Sequence, residues 1–381
     1  MYPGLNAFRA FAFFAVFLFH VYKLHAGYLG VMAFFVLSGF LLTPILLDMR
    51  DNFDAAGFFR RFYGRRALRI FPLYYFYLFF GALIALVALQ WDEFPSRYQV
   101  VAFLDQVPLA SLFLIDFAHG FADYEKTRLL THFWSLAVEE QFYLVWPVVL
   151  FLIPRAKLRV VLLGLIATGP LIRWAIALDA VPQALPFLAT DKTLLVYTLP
   201  FSHIDAFATG GYFALYGKSG SGRSVWVFFA LAYAIGVGTA WMTTGTFIAT
   251  ELGYGPFMKD SAKHIWGYTL LNFVFAHALI HIRDRKFLPL VFENKILDYL
   301  GRISYGLYVY HFGIIMIITA TLPDTSELIQ IPLALGLTIL VSVLSYEYME
   351  KWFLQFKDRF FERNSASDTP KGQPIPQEAT S

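Results

Sequence analysis

Apolar stretches long enough to cross a bilayer recur along most of this chain, and they leave it few ways to fold. A lipid interior offers backbone groups no partners, so a spanning segment must satisfy its own hydrogen bonds, as a helix does. About 20 predominantly apolar residues make one helical crossing. Segments of that kind fall at 5–22, 27–47, 70–90, 133–153, 158–178, 194–216, 224–243, 264–282, 303–321 and 331–350. The expected architecture is therefore an all-α integral membrane protein, a bundle of about ten transmembrane helices. Composition agrees. The 381 residues are 58% hydrophobic and only 15% charged, with a mean hydropathy of +0.57, too greasy for an ordinary soluble protein. The 42 Phe can supply interface belts and walls around a ligand. No cysteine is present, which removes disulfides, thiolate metal sites and any cysteine-bound acyl intermediate.

Basic residues set the expected orientation. With the N-terminus placed in the cytoplasm, Lys and Arg in cytoplasmic loops outnumber those on the far side by about three to one, which favours both termini inside. The net charge of +3 is then an orientation signal, and no nucleic-acid partner is expected. The first apolar run lacks a basic region before it and carries two polar residues, so it reads as a retained helix and not a cleaved leader. The segment 99–118, partly apolar with Asp105 and Asp116 inside, reads as interfacial or re-entrant, because a full crossing there would upset the charge bias. Residues 1–355 form the expected membrane domain and 356–381 a disordered cytoplasmic tail, polar and rich in Ser and Pro from Asn364 onward. No internal repeat is visible, which gives no support to an inverted-repeat transporter.

The two polar residues of the first run are Arg9 and His20. Eleven residues are about three turns, so both lie within about 20° of one helix face, roughly 16 Å apart along the axis. Ionisable residues inside a membrane span usually face a polar interior or a water-filled path. The fourth span runs the opposite way and opens with His132-Phe133-Trp134-Ser135. Ser135, Glu139 and Tyr143 share one face of it. The topology brings Glu139 to a depth similar to that of His20 near the outer surface, and a His beside a carboxylate makes a plausible general base. A helix N-terminus alone also favours acidic residues, which is the plainer reading of Glu139 and Glu140.

A second cluster lies before the third span. Arg60, Arg61, Arg65, Arg66 and Arg69 crowd ten residues in a cytoplasmic loop. They suit a phosphate clamp, and they equally suit topology determination or lipid headgroups. His203 and Asp205 lie in the sixth span, Arg302, Ser304, Tyr305, Tyr308 and His311 at the ninth, and Glu347 and Glu350 at the end of the tenth. Such groups can line a path or bond one helix to another. Gly211 to Ser219 has the wrong glycine spacing for a P-loop. His277 and His281 lack the Glu of a zinc motif, so no metal is expected.

Five segments together resemble the acyltransferase-3 family of bacterial multi-span membrane acyltransferases, over about residues 1–355. Arg9 and His20 are similar to its Arg-x10-His pair. Phe35 to Leu41 resembles FxxSGFL, which contains Ser38. Arg65 to Tyr74 resembles RRxxRIxPxY, Trp134 to Tyr143 resembles WSLxxExxFY, and Ile303 to His311 resembles ISYxLYLxH. Two places depart from the pattern: Trp352 stands where a Pro is common after Glu350, and His203-Ile204-Asp205 replaces an Arg-x-Asp.

The resemblance implies O-acylation of O-antigen, exopolysaccharide or a related glycan in the bacterial inner membrane, with acetyl-CoA as donor and a glycan or lipid-linked glycan as acceptor. It implies catalytic roles for His20, Glu139 and Arg9, and donor binding by Arg61, Arg65, Arg66 and Arg69. Ser38, Trp134, Ser135, Tyr143, His203, Asp205, Arg302, Ser304, Tyr305, His311 and Glu350 would line the substrate path. Many relatives carry a further esterase-like domain, so a second transfer step would fall to a partner protein. His20 would act as a base oriented by Glu139, or would carry the acyl group itself; the sequence leaves both open. A transporter or channel using the same buried path is the alternative. A His20 facing lipid, or walled off from the arginine cluster, would count against the transferase reading.

Overall fold

Backbone self-sufficiency in lipid is met here by helices alone: the computed structural model, which describes residues 4–90, 97–120, 127–178, 192–259 and 262–361, contains no strand among them. Among the described residues, eight helical runs are long and apolar enough to cross a membrane: His25–Asn52, Ala55–Ala88, Arg128–Leu152, Arg155–Ala177, Arg223–Thr244, Lys263–Arg283, Ser304–Thr321 and Glu327–Lys357. Helix α1 (Leu5–His20) is apolar but has only 16 residues, about 24 Å of rise. The expected count of about ten falls short at this helix and at one broken span.

Helix α2 (Leu29–Asn52) follows α1 after a 3-10 turn at His25–Tyr28 and is the most enclosed of the long runs. Helix α3 (Ala55–Ala88) starts at Asp54, whose carboxylate accepts from the Gly57 amide at 2.9 Å, a standard way to satisfy an orphan donor. Its 34 residues rise about 51 Å, well beyond the roughly 30 Å of a hydrocarbon core. The arginine cluster lies within the first half of this rod and not in a loop, a correction to the sequence reading. Nothing in 60–71 breaks a helix, and Pro72 is accommodated inside it.

Helix α4 (Arg97–Ser111) and the single turn α5 (Ile115–Ala118) occupy most of the segment expected to be interfacial or re-entrant. The chain bends between them at Phe113, which has φ of 54°. Tyr74 and Tyr75 of α3 bond the Ala110 and Ser111 carbonyls at 2.7 and 2.9 Å, so α4 is tied to α3.

Helix α6 (Phe133–Leu152) and α7 (Arg155–Ala177) are joined at Pro154. The expected single helix 194–216 is instead α8 (Lys192–Thr198), a 3-10 turn at Pro200–His203, and α9 (Ile204–Tyr216). Pro200 lacks the amide that a continuous helix needs, and it pushes Leu199 into extended backbone (φ −75°, ψ 136°).

Helix α10 (Arg223–Thr244) stops at Gly245, which is left-handed at φ 66°. It is followed by α11 (Lys263–Arg283), the short α12 (Pro289–Phe292), α13 (Lys295–Arg302), α14 (Ser304–Thr321) and α15 (Glu327–Ser345). A π-turn at Tyr346–Glu350 leads into α16 (Lys351–Phe360). This last helix crosses the expected domain boundary at 355, and Arg65 holds its end through the Phe361 carbonyl at 2.7 Å. The remainder of the expected tail, 362–381, lies outside the described residues.

Helices α2 and α9 meet in a close glycine seam. A Cβ on Gly39 would fall 2.0 Å from the Phe207 carbonyl oxygen, and one on Gly210 would fall 2.0 Å from that of Val36. Only hydrogen side chains permit this approach, the usual device for close helix contacts in lipid.

Candidate active site

Helices α1, α2, α3, α6 and α14 surround a cleft of about 880 Å³. Arg9, Ser38, Arg66, Arg69, Glu139 and Tyr143 all line it. These residues come from four helices and include members of four of the sequence motifs. The i, i+4, i+8 face of α6 is intact: Ser135 joins Glu139 and Tyr143 in the wall, and Ser304 and Tyr305 enter from α14. Ser38 and Tyr143 both donate to one Glu139 oxygen. Arg66 lies 4.8 Å from the centre of the Tyr143 ring, within cation–π range. Arg69 donates to the Arg302 carbonyl at 3.3 Å. Neither guanidinium has a carboxylate ion-pair partner among the described residues.

Arg9 is anchored differently. It donates to Asn6 Oδ1 at 3.1 Å, Asn6 donates onward to Asp298 at 2.9 Å, and Arg302 Nε donates to the same carboxylate at 2.9 Å. A polar chain thus joins the half-buried Arg9 to the exposed Arg302. The hydrogen bond to Asp298 raises the Arg302 pKa above its ordinary value. Asn6 and Asp298 escaped the sequence reading, because one lies a turn before the motif and the other 292 residues away.

His20 opens onto a second cavity of about 490 Å³, whose lining includes His119, Thr131, His132, Trp134, Tyr197 and Thr198. His20 Nδ1 lies 2.8 Å from His311 Nε2, with the rings 5.0 Å apart and inclined by only 24°. His311 Nδ1 meets the Tyr308 carbonyl at 2.6 Å. His132 Nε2 meets the Val309 carbonyl at 3.1 Å. Three imidazoles therefore gather where α1, α6 and α14 meet. His132 was visible in sequence, directly ahead of Trp134-Ser135, and its place at the start of an inbound span was the signal for it.

Two expectations need correcting. Glu139 does not orient His20: its hydrogen bonds go to Ser38 and Tyr143, and the partner of His20 is His311. Similar depth did not fix direction around the helix axis, and Glu139 faces α2 in the first cleft. Nor is the route from Arg9 to His20 continuous in this conformation. Val31 and Tyr308 line both cavities and so stand between them. The Tyr308 hydroxyl is held by Ser135 Oγ at 2.6 Å and the His132 carbonyl at 3.2 Å. His20 faces a cavity and not lipid, but the wall that Val31 and Tyr308 share separates it from the arginines.

The other expected site residues fall outside both cavities. Asp205 is buried and receives two 2.9 Å hydrogen bonds from Arg173. His203 meets the Tyr197 carbonyl at 2.8 Å and packs 5.1 Å from the Phe35 ring. Arg61 sits 4.1 Å from the centre of the Phe53 ring, and Arg65 turns toward α16. Glu350 is buried against Ser345 at 3.4 Å, beside Gly306. Of the four expected donor-binding arginines, the structure brings Arg66 and Arg69 to the cleft and leaves Arg61 and Arg65 away from it.

Comparison with known proteins places the chain in a family. The chain is 26% identical over 394 residues to the peptidoglycan O-acetyltransferase OatA of Listeria monocytogenes, covering 94% of this chain and 58% of that protein. It is 27% identical over 373 residues to the O-acetyltransferase OatA of Staphylococcus aureus, covering 91% of this chain and 56% of that protein. The chain thus spans little more than half the length of these relatives. No solved structure matches it. A family model described as an acyltransferase domain covers residues 2–347, nearly the whole helical bundle, and the chain belongs to this acyltransferase-3 family of membrane enzymes.

Proposed function

We propose that this chain transfers an acyl group, most simply acetyl, from cytoplasmic acyl-CoA to a hydroxyl of a cell-surface or exported glycan at the bacterial inner membrane. The observation that carries the reading is the back-to-back pair of cavities. One presents the Arg66 and Arg69 guanidinium groups, which have no carboxylate ion-pair partner among the described residues, the other an imidazole with an open ring nitrogen, and the wall of Val31 and Tyr308 divides them. The names of the two relatives, one a peptidoglycan O-acetyltransferase, favour a sugar hydroxyl as acceptor.

The residues divide the work by chemistry. Arg66 and Arg69 offer planar donors without a carboxylate partner, which suits the phosphates of an acyl-CoA. The donor brings an activated thioester carbonyl. The acceptor hydroxyl attacks that carbonyl, the new C–O bond forms and the C–S bond breaks. His20 takes the hydroxyl proton and returns it to the departing thiolate. Aromatic rings of Trp134 and Tyr197 in the outer cavity give a sugar flat apolar faces to lie on. The closed wall means that Tyr308 must swing aside before transfer.

The test is His20→Ala in a protein inserted at normal abundance, read by mass spectrometry of the cell-envelope glycans. Acyl esters should fall by about 10²–10⁴-fold, the usual contribution of a general base. Undiminished esters in that variant would remove His20 from the reaction.

A further inference from the structure

Resting on the reading of His20 as the base, we infer that His311 is its positioning residue, fixing the tautomer so that Nε2 is the basic atom. Two hydrogen bonds in series link the Tyr308 carbonyl, His311 and His20. The Tyr308 carbonyl can only accept, so His311 Nδ1, 2.6 Å away, carries a hydrogen. A neutral His311 then has a bare lone pair on Nε2. That atom lies 2.8 Å from His20 Nδ1, so His20 Nδ1 must be the donor. The only proton left to place on a neutral His20 is already used, and its Nε2 is left with a free lone pair.

The opposite arrangement requires a charged His311. It is fully buried, sits edge-on to Phe13 at 5.7 Å, and no carboxylate bonds to any of the three imidazoles among the described residues. An isolated charge in such surroundings is strongly disfavoured. His132 is not a substitute partner, because its Nε2 is committed to the Val309 carbonyl at 3.1 Å and its buried Nδ1 has no hydrogen-bond partner.

His311 thus does for His20 what a carboxylate does in the familiar triads. It selects the tautomer, holds the ring, and receives a stronger, charge-assisted bond once His20 takes up a proton. A neutral partner does this without burying a second charge. The expected Glu139 would have brought that charge with it.

Two measurements on the full chain in lipid nanodiscs and in cells test this. In ¹⁵N-histidine spectra, the signal lost in His20→Ala should belong to a ring protonated at Nδ1; protonation at Nε2 overturns the inference. In cells at matched abundance, the rate of appearance of alkali-labile acetate on envelope glycans compares three variants. His311→Phe keeps the ring and removes the acceptor, and should slow the rate by about 10²-fold or more. His311→Gln restores an acceptor oxygen and should recover at least tenfold of that loss, whereas a purely packing role would favour Phe over Gln. A His311→Phe protein that keeps full rate while His20→Ala is dead sinks the His311 assignment alone. An active His20→Ala sinks the acyl-transfer reading beneath it.

Discussion

Asp205 shows how far a residue can sit from the role its pattern suggests. Its two oxygens each receive a hydrogen bond from Arg173 at 2.9 Å, and Thr269 adds another at 2.6 Å. Arg173 also reaches the Ser202 and Ile265 carbonyls. Both side chains have no solvent exposure, so removing one strands the other. Asp205→Asn should destabilise the folded protein by about 3–5 kcal/mol, read as a lower detergent-solubilised melting temperature, while a protein of unchanged stability would place the pair in the reaction path instead. The face of Ser135, Glu139 and Tyr143 was legible in sequence because helical spacing is local. The partners of Asp205 and His20 were not, because they lie 32 and 291 residues away across helix contacts.

At the scale of elements, the legible part was again what a periodic apolar run dictates. Eight of the expected spans meet the length and hydropathy that a crossing needs. The sixth was misread because its apolar content outweighed Pro200, yet a missing amide decides locally whatever the surrounding hydropathy. The arginine cluster was misplaced for the reverse reason: charge suggested a loop, and nothing in the backbone required one. Helix α14 supplies both the Tyr308 wall and His311. Tyr308→Ala should join the two cavities and let water reach a bound thioester. Acetyl-CoA hydrolysis by the purified protein, without acceptor, should rise severalfold, measured as released thiol. The chain itself has no cysteine, so it adds no background to that assay. Hydrolysis no faster than wild type would show that Val31 and the neighbouring side chains close the passage unaided.

For the whole molecule, orientation is the property that gives the two cavities their meaning. The charge bias predicts that Ser221, between α9 and α10, lies inside, and Thr246, beyond α10, outside. Both residues are exposed. A single cysteine at Thr246 should react with an impermeant maleimide on spheroplasts, and one at Ser221 only after lysis. The reverse pattern would put the arginine cleft on the wrong side of the membrane for a cytoplasmic nucleotide.

The glycine seam between α2 and α9 then limits how such a molecule can move. Where main chain lies on main chain, no flexible groups remain to slide past one another, so these two rods behave as one keel. Any opening between the two cavities would then fall to side chains outside that seam, among them Tyr308, latched by two hydrogen bonds that a rotamer change can release.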